Sequence, residues 1–317
     1  MKPEIWDFHC DVLSKMQMDE SLDFLEDDRL DVNFARIGQG GVKVQCFAIF
    51  LSEKAGKPRF ESILNQIDIF RQKVVPAGLV PLISADDLDK VAGSGQLGAL
   101  LSLEGADGLE ANMHYLQLCY ERGVRLLGLT WNYGNWAADG ILEPRGGGLT
   151  PQGVKLVKAC HRLGIILDVS HLSVKGFWEV AELAEEAGIP FLASHSNAYS
   201  VCSHVRNLRD DQIKAILSLE GRIGLTFVPW FVKKAPQVNA SDLLPHIDHI
   251  CSLGGENILM LGSDFDGIDA HIEGLSHAGQ LGEFANLLLK YYPENLVNGW
   301  LSGNGRTFLK KWLPQNK

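Results

Sequence analysis

The stretch TPQGVKLVKACHRLGIILDVSH, residues 150–171, holds one complete helix-to-strand unit. Thr150 followed by Pro151 reads as an N-cap with proline in the first helical turn. Helical spacing runs over 151–163, and Gly164 is a C-terminal stop. The apolar, β-rich run GIILDVSH follows and closes on His171. Runs of this kind recur in order along the chain: IWDFHCDV, VKVQCFAIFL, LGALLSLEGAD, VRLLGLTWN, GIILDVSH, PFLASHS, RIGLTFVPWF and ENILMLGSDFD, eight in all. Between most of them lie segments with helical periodicity, at 61–75, 111–122, 151–163, 174–187, 210–219 and 242–253. Gly123, Gly188 and Gly221 repeat the role of Gly164. Strands that alternate with helices pair in parallel, and eight such units predict a closed (β/α)8 TIM barrel. The near-continuous hydrophobicity of the strands suits a sheet covered by helices.

The 317 residues show no linker or compositional break, so a single domain over 1–317 is expected. The Gly- and Trp-rich stretch 132–148 reads as a long loop over the site rather than a boundary. The formal net charge is −10 and no large Lys/Arg cluster is present, which argues against a nucleic-acid partner. Six cysteines are widely spread without a CxxC pair, and Cys10 and Cys46 read as small core residues rather than parts of a disulfide framework. Trp6, Asp7, His9 and Asp11 occupy the place of a signal peptide's apolar region, and no run approaches a membrane span, so no membrane partner and a cytoplasmic location are the expectation.

The polar residues gather at the ends of the strands. In the first run, alternation puts Asp7, His9 and Asp11 on one face and Phe8, Cys10 and Val12 on the other. Three ionisable groups on one buried face are costly unless paired. Either they form a satisfied polar patch, or His9 and Asp11 hold a metal ion. Glu104 ends the third run, Trp131 and Asn132 the fourth, His171 the fifth, His195 the sixth, and Asp264 with Asp266 the eighth. In a barrel these carboxyl ends meet at one mouth, where the active sites of the fold lie. Three histidines and several carboxylates form an N/O donor set for Zn²⁺ or a similar divalent ion. Two ions bridged by a shared carboxylate would use most of them, as in aminopeptidases and related hydrolases.

The motifs DFHCD, SLEGAD, LTWN, LDVSH, ASHSNAYSVCSHVRNLRDD and GSDFDG, together with the SGNGRTFLKKW tail, resemble in order and spacing those of the renal or membrane dipeptidase family. The resemblance implies a metal-dependent-hydrolase (β/α)8 barrel with two Zn²⁺ per chain. It implies that His9 and Asp11 hold one zinc, that Glu104 bridges both, and that His171 and His195 hold the second. Asp264 would be the acid/base, Arg206 would bind the C-terminal carboxylate of a dipeptide, and Asp7 would orient a metal ligand. The implied substrate is a dipeptide, with a D-residue tolerated at its C-terminal position, and the implied assembly is a homodimer. One departure stands out. Where many members have Leu-Thr-His, this chain has Trp131, which donates a single hydrogen bond and cannot exchange protons as His does. Asn132 either supplies the lost substrate contact, or specificity differs, or turnover is slower. Competing readings are a hydrolase of N-acyl amino acids or cyclic amides on the same centre, and a catalytically silent barrel that binds a partner.

Other polar motifs read as structural. His246 and His249 in HIDH are expected on a solvated helix face, and His114 and His161 on helix surfaces or in packing. GQGG at 38–41 precedes a strand and so lacks the context of a dinucleotide loop. Ser170 and Ser194 lack a nucleophile elbow. Asp139, His271 and His277 are expected in solvent-exposed loops near the mouth.

Overall fold

The computed structural model describes residues 4–52 and 56–315. Among the described residues nine parallel strands are formed: β1 (Ile5–Asp7), β2 (Val42–Phe50), β3 (Leu79–Pro81), β4 (Leu97–Glu104), β5 (Val124–Gly128), β6 (Ile166–Asp168), β7 (Leu192–Ala193), β8 (Arg222–Leu225) and β9 (Leu259–Leu261). Eight of them run β2-β1-β9-β8-β7-β6-β5-β4 and close through a β2–β4 pairing, which makes the expected (β/α)8 barrel. Each of the eight apolar runs supplies one barrel strand. The extra strand, β3, pairs with the start of β4, Leu79 opposite Leu97. The seven-residue β2–β4 ladder ends with Phe50 opposite Glu104, which fixes both at the mouth.

Helices follow their sequence signals where the caps are strong. Thr150 accepts a hydrogen bond from the Gly153 N–H, and the helix Pro151–Leu163 ends at Gly164 with φ 77°. Val174–Ala187 ends in the same way at Gly188, φ 65°. After Asp210–Ser218 the left-handed residue is Glu220 (φ 56°), not the glycine that follows it. The stretch expected to be helical over 61–75 is an α-helix, Phe60–Ile69, that widens into a π-turn at Phe70–Val74.

Two buried layers result. Outside the barrel, strand and helix side chains form one large apolar cluster that includes Cys10 and Val12. Inside it, Trp6, Phe8, Val44, Cys46, Leu126 and Met260 pack on Phe308, Leu309 and Leu313, so the C-terminal helix Asn304–Trp312 plugs the barrel floor. Phe8 therefore lies inside while Cys10 and Val12 lie outside, and the alternation expected across 5–12 fails. Its cause is the length of β1, whose ladder stops at Asp7; beyond the last ladder bond the backbone turns and a period of two no longer applies. The plug seats at Gly305, where an added Cβ would fall 2.6 Å from a Phe8 ring carbon and 3.3 Å from Met260 Sδ. Gly305→Ala is expected to cost about 1–3 kcal/mol by overpacking, read as a lower urea midpoint; an unchanged midpoint would show that the floor yields freely.

All six cysteines are unpaired. Among the described residues no helix is long and apolar enough to cross a membrane.

Candidate active site

Of the five residues read as metal ligands, Glu104 is the last residue of its strand. His9, Asp11, His171 and His195 sit on short extensions above β1, β6 and β7, as Asp264 does above β9. His171 and Asp264 hold left-handed backbone, φ 67° and 69°, a conformation uncommon for residues with a Cβ and enriched at functional positions. These turns swing five side chains over the barrel axis, where Glu104 makes a sixth, from positions separated by up to 255 residues in sequence.

The distances define one cluster. His9 Nε2 lies 3.3 Å from Asp11 Oδ2, 3.6 Å from Glu104 Oε2 and 3.8 Å from Asp264 Oδ1. Glu104 Oε1 lies 3.0 Å from His171 Nε2 and 3.6 Å from His195 Nε2. One glutamate thus turns one oxygen toward His9 and the other toward the remaining two histidines. His9, Glu104 and His195 form one group able to hold a cation, and His9, Asp11 and Asp264 a second. His171 stands outside both groups and reaches the cluster through Glu104.

Hydrogen bonds behind the rings fix which nitrogen faces inward. His171 Nδ1 is 2.8 Å from Asn132 Oδ1, which can only accept, so Nδ1 carries the proton. Ser194 Oγ donates to Asp168 and lies 2.7 Å from His195 Nδ1, so it accepts from that ring. Both Nε2 atoms then present lone pairs to a Glu104 oxygen. Acceptor facing acceptor at these distances is repulsive unless a cation lies between them. His9 Nε2, Asp11 Oδ1 and His195 Nε2 are moreover buried without a hydrogen-bond partner. This donor set fits a divalent metal.

The electrostatics agree. Burial opposes the charged form of His9, but Glu104, Asp11 and Asp264 outweigh it and hold the ring at about 10, so in the absence of metal the carboxylates draw in a proton. Burial, with Arg206 and His9 nearby, pushes His171 and His195 well below the usual imidazole range, which keeps their lone pairs free. Burial raises Glu104 well above an ordinary carboxylate. It also lifts Asp264 to about 6, against the pull of His9 and with the help of the Asp11 carboxylate.

A cavity of about 170 Å³ opens over the cluster, lined by Asp11, Glu104, His171 and Asp264 and by Phe50, Trp131, Asn132, Val228, Trp230, Phe231, Gly267 and Ile268. Arg206 is 6% exposed. One guanidinium nitrogen donates to the His195 carbonyl at 3.4 Å, Nε is buried without a partner, and the group lies 5.4 Å from the Phe231 ring centre. Asn132 lines the cavity as well as holding His171.

Asp7 does not reach the cluster. Its carboxylate accepts from Gln45 Nε2 at 2.9 Å, from the Ser263 N–H at 2.8 Å and from Ser263 Oγ at 2.6 Å. It accepts from the His9 backbone N–H at 3.4 Å, and Ser263 Oγ, which donates to it, also donates to the His9 carbonyl at 3.0 Å. It anchors the turn that carries Asp264 and holds His9 by its backbone, without touching the imidazole ring. Asp168 and Ser194 support the site although nothing in their spacing marks them. Asp168 Oδ1 also accepts from the N–H groups of Ser170 (2.9 Å) and Ser194 (3.0 Å), tying the two histidine-bearing turns together. A serine between an aspartate and a histidine is not a nucleophile, because its proton is committed to the carboxylate.

Two exposed-face expectations fail. His246 is fully buried: its Nδ1 accepts from the Ala198 N–H at 3.1 Å and its Nε2 donates to the Val232 carbonyl at 2.9 Å. Asp139 is 3% exposed, paired with Arg145 and bonded to the Gly147 N–H at 2.7 Å. In both cases a loop folds back over the residue and needs its hydrogen bonds. His249 pairs with Asp210 at 2.8 Å, His271 with Asp31 at 2.8 Å, and His277 caps Gly279.

A parallel barrel with histidines and carboxylates converging at its carboxyl mouth has the frame of a metal-dependent hydrolase. A family model described as membrane dipeptidase (peptidase family M19) matches residues 2–311, and the chain belongs to that family, a family of metallopeptidases. It is 34% identical over 264 residues to a protein encoded in the pqqA 5′ region of Klebsiella pneumoniae, covering 80% of this chain and 92% of that one. It is 29% identical over 275 residues to dipeptidase tcpJ of Claviceps purpurea, covering 80% of this chain and 64% of the relative. A metallopeptidase from Rhodobacter sphaeroides, solved with a phosphinate mimic of the dipeptide L-Ala-D-Ala, superposes with a TM-score of 0.89 at 26% identity, over 98% of this chain and 100% of that one.

Proposed function

We propose that this dipeptidase is a binuclear zinc enzyme that hydrolyses the single peptide bond of a dipeptide and accepts a D-residue at its C-terminal position. The observation that carries the reading is the split of Glu104, with one oxygen toward His9 and the other toward His171 and His195. His9 and Asp11 would hold one ion, His171 and His195 the other, with Glu104 between them. A bound pair of divalent cations supplies a hydroxide nucleophile and polarises the scissile carbonyl. Asp264 would take the proton that the water loses as it becomes the nucleophile and deliver it to the leaving amine, a role suited to a carboxylate on the cavity wall beside His9. Arg206 binds the free carboxylate. The scissile carbonyl belongs to the first residue, so the configuration of the second bears less on the reaction, and the L-Ala-D-Ala mimic on the Rhodobacter relative supports this. Hydrolysis of an N-acyl amino acid or a cyclic amide, or a silent binding barrel, is not favoured by the dipeptidase relatives. A single domain over 1–317, acting as a cytoplasmic homodimer, completes the proposal on composition and family resemblance.

Metal analysis of the active protein, with a screen of L,L, L,D and D-containing dipeptides, tests the reading. Close to two divalent ions per chain are expected, and Glu104→Gln is expected to lose metal and activity together, since a neutral amide bridges cations poorly. A single tightly held ion in the active protein would sink the binuclear reading. Asn132→Ala and Ser194→Ala, which release the rings of His171 and His195, are each expected to weaken metal binding by about 10–100-fold, measured by chelator competition; unchanged affinity would make those hydrogen bonds incidental.

A further inference from the structure

The cavity over the cluster is acidic only at its base. Its upper walls are aromatic and aliphatic, and none of its lining residues is a lysine or arginine. On one side Phe50 and Trp131 pack with ring centres 5.2 Å apart and planes tilted by 50°. Both are half-buried, and both line the cavity. Phe50 is held rigidly. It stands opposite Glu104 in the β2–β4 ladder, and the buried Gln66 clamps its backbone from both sides, accepting from its N–H at 3.1 Å and donating to its carbonyl at 2.6 Å. A second hollow of about 350 Å³ adjoins the first along Asp11, Phe50, Trp131 and Gly267, and its far side is polar, with Ser14, Ser52, Asp266 and Asp269. Lys15 lines that hollow, but its charge is taken by Asp266 at 3.0 Å and makes no call for an acidic group.

Resting on the dipeptidase reading, we propose that Phe50 and Trp131 form the wall that receives the side chain of the substrate's N-terminal residue, and that they select a bulky apolar one. The orientation follows from Arg206, whose guanidinium lies by Phe231 rather than by this pair. With the carboxylate held there, the first residue extends across Glu104 toward Phe50. A large apolar side chain then buries surface against the two aromatic rings, whereas glycine gains nothing and a carboxylate meets the acids at the base and in the adjoining hollow.

The test is kcat/KM for Leu-Ala, Phe-Ala, Gly-Ala and Glu-Ala on the metal-loaded enzyme, alongside Ala-Leu and Ala-Gly. Leu-Ala and Phe-Ala are expected to exceed Gly-Ala by about tenfold or more, with Glu-Ala poorest. Trp131→Ala and Phe50→Ala should each shrink the Leu-Ala to Gly-Ala ratio to about threefold or less, while the ratio of Ala-Leu to Ala-Gly holds. The two variants serve as independent checks should either one fold poorly. Gly-Ala or Glu-Ala cleaved as efficiently as Leu-Ala, or a preference that survives both substitutions, overturns the wall while leaving the dipeptidase reading intact. Failure of the metal-loaded enzyme to cleave any dipeptide overturns both.

Discussion

Asp264→Asn is expected to keep its metal and lose activity by about 10²–10⁴-fold, the range for removal of a general acid/base. The substitution is close to isosteric, and asparagine tolerates the left-handed backbone at φ 69° at least as well as aspartate, so the fold and the turn above β9 should persist. What changes is proton chemistry. The carboxylate lies 3.8 Å from His9 Nε2 and lines the cavity, where it can reach both an attacking water and a leaving amine. The amide can do neither exchange. The measurement is kcat beside metal content. Near-normal turnover in a metal-replete variant would remove Asp264 from the mechanism. Metal lost in step with activity would instead make it a ligand, in keeping with its place in the group with His9 and Asp11.

Arg206→Met should lower kcat/KM for dipeptides by about two orders of magnitude with both metals still bound. A buried guanidinium with an unpartnered N–H is a costly thing to keep, and it becomes favourable once an anion arrives to complete its hydrogen bonds. Each charge-assisted bond contributes roughly 1.5–3 kcal/mol, so losing a forked pair accounts for the expected loss. Methionine fills similar space beside Phe231 without the charge. Lysine should recover only part, since it offers a point charge in place of a fork. Dipeptide amides, which lack the carboxylate, should be poor substrates and respond little to the mutation. Equal effects on dipeptides and their amides would make Arg206 structural and leave the substrate class without its main recognition element.

The barrel was legible because each unit carries redundant local signals. Between Thr150 and His171 a cap, a period of 3.6, a stop glycine and an apolar run all agree, and agreement of that kind survives tertiary context. Less redundant elements went unread. β3 is three residues long, and the floor helix Asn304–Trp312 is strongly polar on its outer face, with its purpose visible only once Phe8 is seen beneath Gly305. At the site, the residue types and the convergence at the mouth were readable, since barrel topology alone brings strand ends together. Direction was not. The side chains that matter stand on turns above the last ladder bonds, and so Asp7 was grouped with His9 when it faces Gln45 and Ser263. Asp168 and Ser194 carry no sequence mark of their own, because their importance lies in what they hold, and a hydrogen bond across two strands leaves no trace in spacing.

The pairing of β1 with both β2 and β9 has a consequence in time. His9 and Asp11 are the first residues of the cluster to be made, and Asp264 comes 255 positions after His9. At about 5–20 residues per second, the strand that completes the cluster follows the first by roughly 13–50 seconds of synthesis. Throughout that interval the opening strand has one neighbour at most, and the floor under Phe8 has not yet been made. The barrel therefore cannot close until β9 seats against β1, and only then does Asp264 join the residues gathered at the mouth.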